Sequence, residues 1–409
     1  VGCTTMKAVN AIPFNEARQL ITRQIQAAYP VPRVEMLPLD QISGRILAQA
    51  VAGDRDYPPI DKSLRDGYAV RAADLPGALE VISEVRAGVE SDVEVGPKQA
   101  IEIMTGAPIP RGADTVVMIE KTRREGNLVY IDGTYEAGYS INAQGSDARR
   151  GELVLHPGHR LGYAEICMLA TFGYTQVQVF LKPTVAILST GDEVVDVDKT
   201  PTDAQVRNSN VHALVTQVRK SGGHPVAFPI VPDNAEALRA ALKEALRYDC
   251  ILFSGGVSAG KYDLVETVLA EFGAEFYINR VAIRPGQPFV FGKLRERFFC
   301  GLPGNPASTM ITYEIFARGM VELLAGVPET RLPLLRGRLT RPLAELPGLT
   351  RFLPARLEAD GFSVTPLPWK GSSDVPAMAR CDCFIMVEAD RGRCEAGEWV
   401  ATMMKSKSQ

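Results

Sequence analysis

The sequence predicts a multidomain α/β protein: a central doubly wound α/β domain, a β-rich insert domain before it, and a small C-terminal β-barrel or sandwich. Three observations predict it. From Pro183 to about Leu324, strand-like and helix-like runs alternate, as they do in an open, largely parallel sheet with helices on both faces. Across 52–141, and again after Pro328, short strand-like runs are divided by turn residues and prolines. At 409 residues the chain is too long for one compact core, so two to four domains are expected.

In chain order, residues 14–28, "FNEARQLITRQIQAA", carry apolar residues at helical spacing and begin near Asn15, a good cap. A short helix is expected from Ser43 to Leu47. From Ala52 to about Ile141, "LEVISEV", "AIEIMTG", "DTVVMIE" and "NLVYIDG" read as strands of the insert domain. "LGYAEICMLATFG" (161–173) returns to helix and ends at a glycine cap. Then "TVAILST", "PVAFPIV", "DCILFS", "EFYINRVAI" and "RFFCGL" are expected strands. "NSNVHALVTQVRKSGG", "NAEALRAALKEAL", "YDLVETVLAEFG" and the run from Pro306 to about Leu324 are expected helices.

Composition excludes several classes of function. With 46% apolar and 23% charged residues, the chain reads as an ordinary globular protein. A net charge of −3 with no dense Lys/Arg cluster argues against a nucleic-acid partner. No apolar run is long enough to span a membrane. The seven cysteines are scattered and lack metal-ligand spacing, and His156, His159, His212 and His224 form no helical zinc motif. Reduced thiols and a cytoplasmic location are therefore expected, since "VGCTTMKAVNAIPF" lacks the long apolar core of a secretory signal.

The chemistry points to loops at the carboxyl ends of the strands, where open α/β sheets hold ligands. "AILST" runs into Gly191-Asp192-Glu193. "ILFS" runs into Gly255-Gly256-Val257-Ser258-Ala259-Gly260. "INRVAI" runs into Arg284-Pro285-Gly286-Gln287-Pro288, and "FFCGL" into Pro303-Gly304-Asn305-Pro306. Parallel strands would bring all four to one edge. Glycines let the backbone approach a ligand closely, and helix-initial N–H groups attract anions. Asp192, Glu193 and Asp263 would add hard oxygens for magnesium beside a substrate phosphate. Each loop alone reads as a turn; their coincidence on one rim indicates a site. Residues 255–263 lack the Gly-Lys-Ser/Thr of a P-loop, and no Gly-x-Gly-x-x-Gly opens a βαβ unit, so a kinase or dehydrogenase is not supported.

"SLRDGYAV", "IMTGAPIP", "STGDEV", "SGGVSAGKYD", "RPGQPFVFG" and "GLPGNPAS", in that order, with the later "EADRGRCEAGEWV", resemble the molybdopterin molybdenumtransferase family, which includes the C-terminal domain of gephyrin. The similarity covers nearly the whole chain. It implies four domains: a discontinuous helical linker (6–51 and 142–180), a β-rich insert (52–141), a molybdopterin-binding α/β domain (181–327) and a C-terminal β-barrel (328–409). It also implies a homodimer, with adenylylated molybdopterin and molybdate as substrates. Magnesium would assist adenylate cleavage, metal would be inserted into the dithiolene, and a molybdopterin adenylyltransferase would donate the substrate. By the resemblance, Asp66, Thr105, Asp147, Glu193, Asp263 and Arg284 are catalytic, with Asp263 and Glu193 toward the metal. Ser254, Gly255, Gly256, Val257, Ser258, Gly286, Gln287, Pro303, Gly304, Asn305 and Pro306 would bind substrate. Such cleavage needs positioning and charge neutralisation rather than a protein nucleophile.

The chain departs from the family pattern mainly at anion-handling positions. Arg284 and Gln287 stand where the family carries two lysines. Asn142, Ala143, Gln144 and Ser146 occupy a segment that is usually basic, then acidic. A family arginine falls on Pro354, flanked by Arg351 and Arg356, and a Ser pair falls on Pro376 and Ala377. Asn234 replaces the second acid of an Asp pair, leaving Asp233. The expectation is an intact pterin and adenylate cradle with a weakened or remodelled oxyanion pocket. The alternative is a gephyrin-like scaffold or pterin-binding paralogue, although a pure scaffold has no need to keep all the motif loops.

Overall fold

The computed structural model describes residues 11–28, 32–89, 92–256 and 264–405. The chain forms two compact units, one of Met36–Ser43 and Leu47–Gln178, the other of Val1–Glu35, Gly44–Ile46 and Val179–Gln409.

The first unit is built on a six-stranded sheet in the order Thr115–Met118, Gly67–Val70, Gln99–Ile103, Gly77–Val85, Leu128–Ile131, Arg123–Glu125. The four expected strands of the insert are all present. Residues alternate between two apolar faces: Tyr68, Val70, Val117 and Val129 pack on one, and Ala69, Ile101, Ile103 and Val116 on the other. Gly67 is fixed by sterics, because a Cβ there would lie 2.0 Å from the Val117 carbonyl oxygen. The helix Tyr163–Thr171 also belongs to this unit and ends before Gly173 at φ +77°.

In the second unit a six-stranded sheet runs His224–Ala227, Thr184–Ser189, Cys250–Ser254, Arg297–Leu302, Val290–Leu294, Glu275–Ile278. The first four strands are mutually parallel, and the last two pairings are antiparallel. Successive strand residues point to opposite faces, so the sheet is covered twice. Val185, Ile187, Cys250 and Leu252 meet helix Ser209–Lys220 and the Pro306–Leu324 run. Ala186, Leu188, Ile251 and Phe253 meet helices Ala235–Ala245 and Leu264–Glu271. Helix Phe14–Ala28 buries Phe14, Ala17, Ile21 and Ile25 against the first of these cores.

A five-stranded barrel closes the unit. Thr350–Leu357, Ser363–Pro366, Leu334–Leu339, Trp399–Met404 and Cys383–Val387 pair in a ring, the last returning to the first. The barrel therefore holds, and the sandwich does not.

Two expectations are corrected and one is refined. Ser43–Leu47 is not a helix: Leu39–Gln41 forms one 3-10 turn, Gly44 adopts φ +74°, and Leu47 extends to donate its N–H to the His159 carbonyl (2.8 Å). The Pro306–Leu324 run is helical throughout but carries a π-helical turn over Tyr313–Ala317, which spacing alone does not reveal. Ile283–Arg284 is not an extension of a central parallel strand; it pairs in parallel with Thr350 and Arg351 of the barrel. Among the described residues, no helix is long and apolar enough to cross a membrane.

Candidate functional site

Three central strands end level with one another, because Ser189 registers with Ser254 and Ser254 with Leu302. The loops leaving them are pinned to neighbouring strand ends. Thr190 N–H donates to the Ser254 carbonyl (3.3 Å), and Gly255 N–H to the Leu302 carbonyl (3.1 Å). Gly255 and Gly256 both adopt positive φ (+90° and +66°), and a Cβ on Gly256 would lie 2.6 Å from Thr190 Oγ1 and 2.7 Å from Val265 Cγ2. Only glycine fits there.

The third strand leads into Pro303-Gly304-Asn305-Pro306. Thr309 Oγ1 donates to the Pro303 carbonyl (2.5 Å), and Pro306 occupies the first turn of its helix. Asn305 Nδ2 reaches Ser372 Oγ at 3.0 Å, and Ala307 N–H donates to the Ser372 carbonyl at 2.9 Å.

These loops enclose a cavity of about 570 Å³ lined by Glu193, Ser254, Gly255, Pro303, Gly304, Asn305 and Pro306. Pro288 also lines it, so the fourth loop reaches the same edge despite its barrel-side strand. It does so because Ile278 and Val290 both lie at that end of the sheet, beside Phe291 and Gly301 respectively. The Glu193 carboxylate makes no hydrogen bond or ion pair among the described residues, so its oxygens are uncommitted.

The other expected residues are more dispersed. Gly256 lines an adjoining cavity of about 590 Å³ with Thr190, Asp233 and Thr267. Asp192 and Asp233 each accept the other's backbone N–H, at 3.0 and 3.4 Å, which keeps Asp192 in a loop-closing task. Gly286 is buried at φ +99° against Thr312, and the Gln287 carbonyl accepts the N–H of Val281 and Phe289. Arg284 opens on a third cavity of about 460 Å³. Val257, Ser258 and Asp263 lie outside the described residues. Asp66, Thr105 and Asp147 belong to the first unit, where Asp66 and Thr105 are exposed. Thr105 donates to Asp66 Oδ1 from its N–H (2.6 Å) and its hydroxyl (2.9 Å), and these bonds hold the Asp66 carboxyl below the usual carboxylate range. The Asp147 carboxylate takes a long contact from Ser146 Oγ, at 3.3 Å.

Sequence reasoning missed the residues that brace the cradle. Asn208 caps helix Ser209–Lys220, its Oδ1 accepting from Val211 N–H (3.4 Å) and Ser189 Oγ (3.2 Å). Asn210 Nδ2 donates to both Ser254 Oγ (3.0 Å) and the Gly304 carbonyl (2.8 Å). Because a carbonyl only accepts, the amide orientation is fixed, and among the described residues Asn210 Oδ1 is left buried without a donor. Thr190 Oγ1 is likewise buried and unpartnered there. The "NSN" before a helix signals a cap but not a clamp across two strand ends. Replacing Asn210 by Asp turns its donor into an acceptor facing the Gly304 carbonyl. That change is expected to cost about 1–3 kcal/mol, checked by denaturant unfolding against Asn210→Ala.

Among the described residues, no group of three or more His, Cys, Asp or Glu side chains is poised to hold a metal. Magnesium asks for less: one or two carboxylates with water and substrate phosphates complete its shell. The uncommitted Glu193 carboxylate on the cavity wall suits that demand. Thiol chemistry at Cys250 and Cys300 is disfavoured, since burial pushes both thiols up.

Comparison with known proteins finds three family matches. Residues 12–173 match the MoeA N-terminal region (domain I and II), residues 186–323 the probable molybdopterin binding domain, and residues 336–404 the MoeA C-terminal region (domain IV). A molybdopterin molybdenumtransferase of Staphylococcus aureus is 32% identical over 401 residues, 96% of this chain and 95% of that one. That of Nostoc sp. is 40% identical over 304 residues, 72% of this chain and 70% of its own. The crystal structure of a molybdopterin biosynthesis moeA protein from Pyrococcus horikoshii superposes with a TM-score of 0.80 at 26% identity, covering 97% of this chain and 100% of that one.

Proposed function

Because the chain belongs to the molybdopterin molybdenumtransferase family, an enzyme family of molybdenum cofactor biosynthesis, we propose that it inserts molybdate-derived molybdenum into adenylylated molybdopterin with magnesium-dependent release of AMP. The observation that carries this reading is the convergence of Ser254, Gly255, Gly304 and Asn305 with the uncommitted Glu193 carboxylate on one cavity.

In this reading Ser254 to Ser258 and Pro303 to Pro306 receive the pterin and adenylate, and Gly286 and Gln287 border them. Glu193 and Asp263 would hold magnesium, which when bound would supply positive charge beside the scissile phosphate. Arg284 balances the incoming oxyanion. Asp66, Thr105 and Asp147 complete the catalytic set; the Thr105 bonds keep Asp66 ionised and fixed, so it acts as an acceptor rather than an acid. No protein nucleophile is required, because positioning and charge neutralisation carry the cleavage. The four-domain division, the homodimer, a cytoplasmic location and delivery by a molybdopterin adenylyltransferase belong to the same proposal.

The test is AMP release from adenylylated molybdopterin with and without molybdate, in excess magnesium. Molybdate-stimulated release is expected in the wild type. Asp263→Ala should abolish it, and Glu193→Gln should lower kcat about ten- to a hundredfold through the lost charged contact. Tight pterin binding with no release at any metal concentration would instead make the chain a scaffold or binding paralogue.

A further inference from the structure

The wall of the Glu193 cavity carries charges of both signs and keeps them apart. Val194–Val195 and Val206–Arg207 pair in parallel as a short ribbon. Val206 N–H donates to the Glu193 carbonyl and Asn208 N–H to the Val195 carbonyl, each at 2.8 Å. The ribbon brings Arg207 to the same cavity as Glu193, where Arg207 is the one basic side chain and Glu193 the one acid among the described residues. The two side chains do not meet. The Glu193 carboxylate folds back over Gly191, where a Cβ would lie 2.5 Å from its Oε2. Arg207 Nε donates to the Lys199 carbonyl at 3.0 Å, and the guanidinium makes no further hydrogen bond or ion pair among the described residues.

Exposed opposite charges gain little from pairing, so a single backbone carbonyl can hold the guanidinium away from the acid. That carbonyl is itself fixed by the strap between the two ribbon strands. Lys199 N–H donates to the Asp196 carbonyl (3.1 Å), while Gln205 N–H donates to the Thr202 carbonyl (3.0 Å) and Thr202 N–H to Gln205 Oε1 (3.2 Å). The strap also carries Asp196, Asp198 and Asp203, yet Asp198 lies against Lys199 Nζ (3.6 Å) and none of the three pairs with Arg207. With Nε anchored, the outer edge of the guanidinium keeps the planar fork that matches two phosphate oxygens. The cradle residues around it, Ser254, Gly255, Gly304 and Asn305, are all neutral. Neutral donors place a phosphate without balancing its charge, and residues 255–263 supply no Gly-Lys-Ser/Thr lysine to do so.

We infer that Arg207 is a substrate-binding residue that closes its guanidinium on a phosphate of the substrate and leaves the Glu193 carboxylate free for magnesium. A carboxylate and a guanidinium on one wall, held from neutralising each other, are what a metal and the phosphate beside it would need. Arg207 reaches the cavity from an exposed ribbon rather than from a strand end, so it grips substrate and transition state alike and acts mainly on KM. The inference rests on the functional reading above for the identity of the substrate, adenylylated molybdopterin, but not for the existence of a phosphate contact at Arg207.

The experiment is calorimetric titration of the full chain with AMP and with molybdopterin, without magnesium, in wild type, Arg207→Ala and Arg207→Gln. Arg207 is exposed and outside both cores of the sheet, so the variants should melt with the wild type. Arg207→Ala is expected to weaken a phosphate ligand about ten- to a hundredfold. Glutamine can still donate to the Lys199 carbonyl but carries no charge, so Arg207→Gln should lose as much as alanine. Wild-type affinity in Arg207→Gln would make the residue a brace for the strap and overturn the inference. A loss with AMP assigns the contact to the adenylate phosphate, a loss with molybdopterin alone to the pterin phosphate, and either supports it. Unchanged affinity for both ligands in Arg207→Ala overturns it, as does a wild type that binds neither. In steady-state AMP release, Arg207→Ala should raise KM by the same factor and lower kcat far less. If Arg207→Ala loses phosphate affinity but the wild type releases no AMP, the contact stands and the transferase reading falls. If the wild type shows molybdate-stimulated release and Arg207→Ala matches its KM, the reverse holds.

Discussion

Gly256→Val is expected to lose about a hundredfold or more in kcat/KM for molybdate-dependent AMP release, because catalytic geometry tolerates displacements of roughly 1 Å poorly. The residue sits at φ +66°, where a β-branched side chain is strained before any contact is counted. Its first carbon would also lie 2.6 Å from Thr190 Oγ1 and 2.7 Å from Val265 Cγ2. Val265 is buried in the helix-side core, so it has little room to withdraw; the loop must move instead. That movement carries Gly255 away from the cradle wall it shares with Gly304. Since both cores of the sheet are built from residues elsewhere, most thermal stability should survive. Thr190→Ala in the same chain should recover part of the loss by removing one clash, leaving the backbone strain. Full activity in Gly256→Val would remove this loop from the site.

Gly67→Val should have the larger effect on stability. Here the obstacle is backbone: the Val117 carbonyl oxygen would lie 2.0 Å from the new carbon, with the Val117 carbonyl carbon at 2.8 Å and Met118 Cα at 3.0 Å. Gly67 pairs with Ile103 on one side and Met118 on the other, so opening the gap breaks a central strand pairing. Overpacking of this kind costs about 3 kcal/mol or more. For a unit of this size that corresponds to a melting shift of roughly 6–12 °C. Because Asp66 and Thr105 flank the same strands, their hydrogen bonds should loosen with it. Scanning calorimetry checks the shift, and a transition unchanged from wild type would show that the sheet can absorb the side chain.

The central domain was the most legible part of the sequence, for a local reason. Each strand such as "TVAILS" or "CILFS" is apolar on both faces, and each helix such as "AEALRAALKEA" is apolar on one, so period and run length separate them. The glycine loops were legible because strand ends in such a sheet share an edge. What could not be read is tertiary. Nothing in "RPGQP" says that Ile283 and Arg284 join the barrel, and Arg351 lies beside Arg284 only because two distant strands pair in register. The double bond of Asn210 spans 44 and 94 residues of sequence. The π-helical turn at Tyr313 left no mark because Tyr313, Ile315, Phe316 and Ala317 are all buried in a run buried on most sides, so there is no single apolar stripe for an inserted residue to shift.

The pairing of Ile283 and Arg284 with Thr350 and Arg351 also bears on how the protein is made. On the ribosome, the central sheet is complete once residue 302 has emerged, yet the strand leading into Gly286 and Pro288 then has no partner. Its partner is synthesised later and closes its own ring only when Trp399–Met404 arrives. A nascent chain can therefore present a finished parallel sheet well before the strand that joins its rim to the barrel finds its partner.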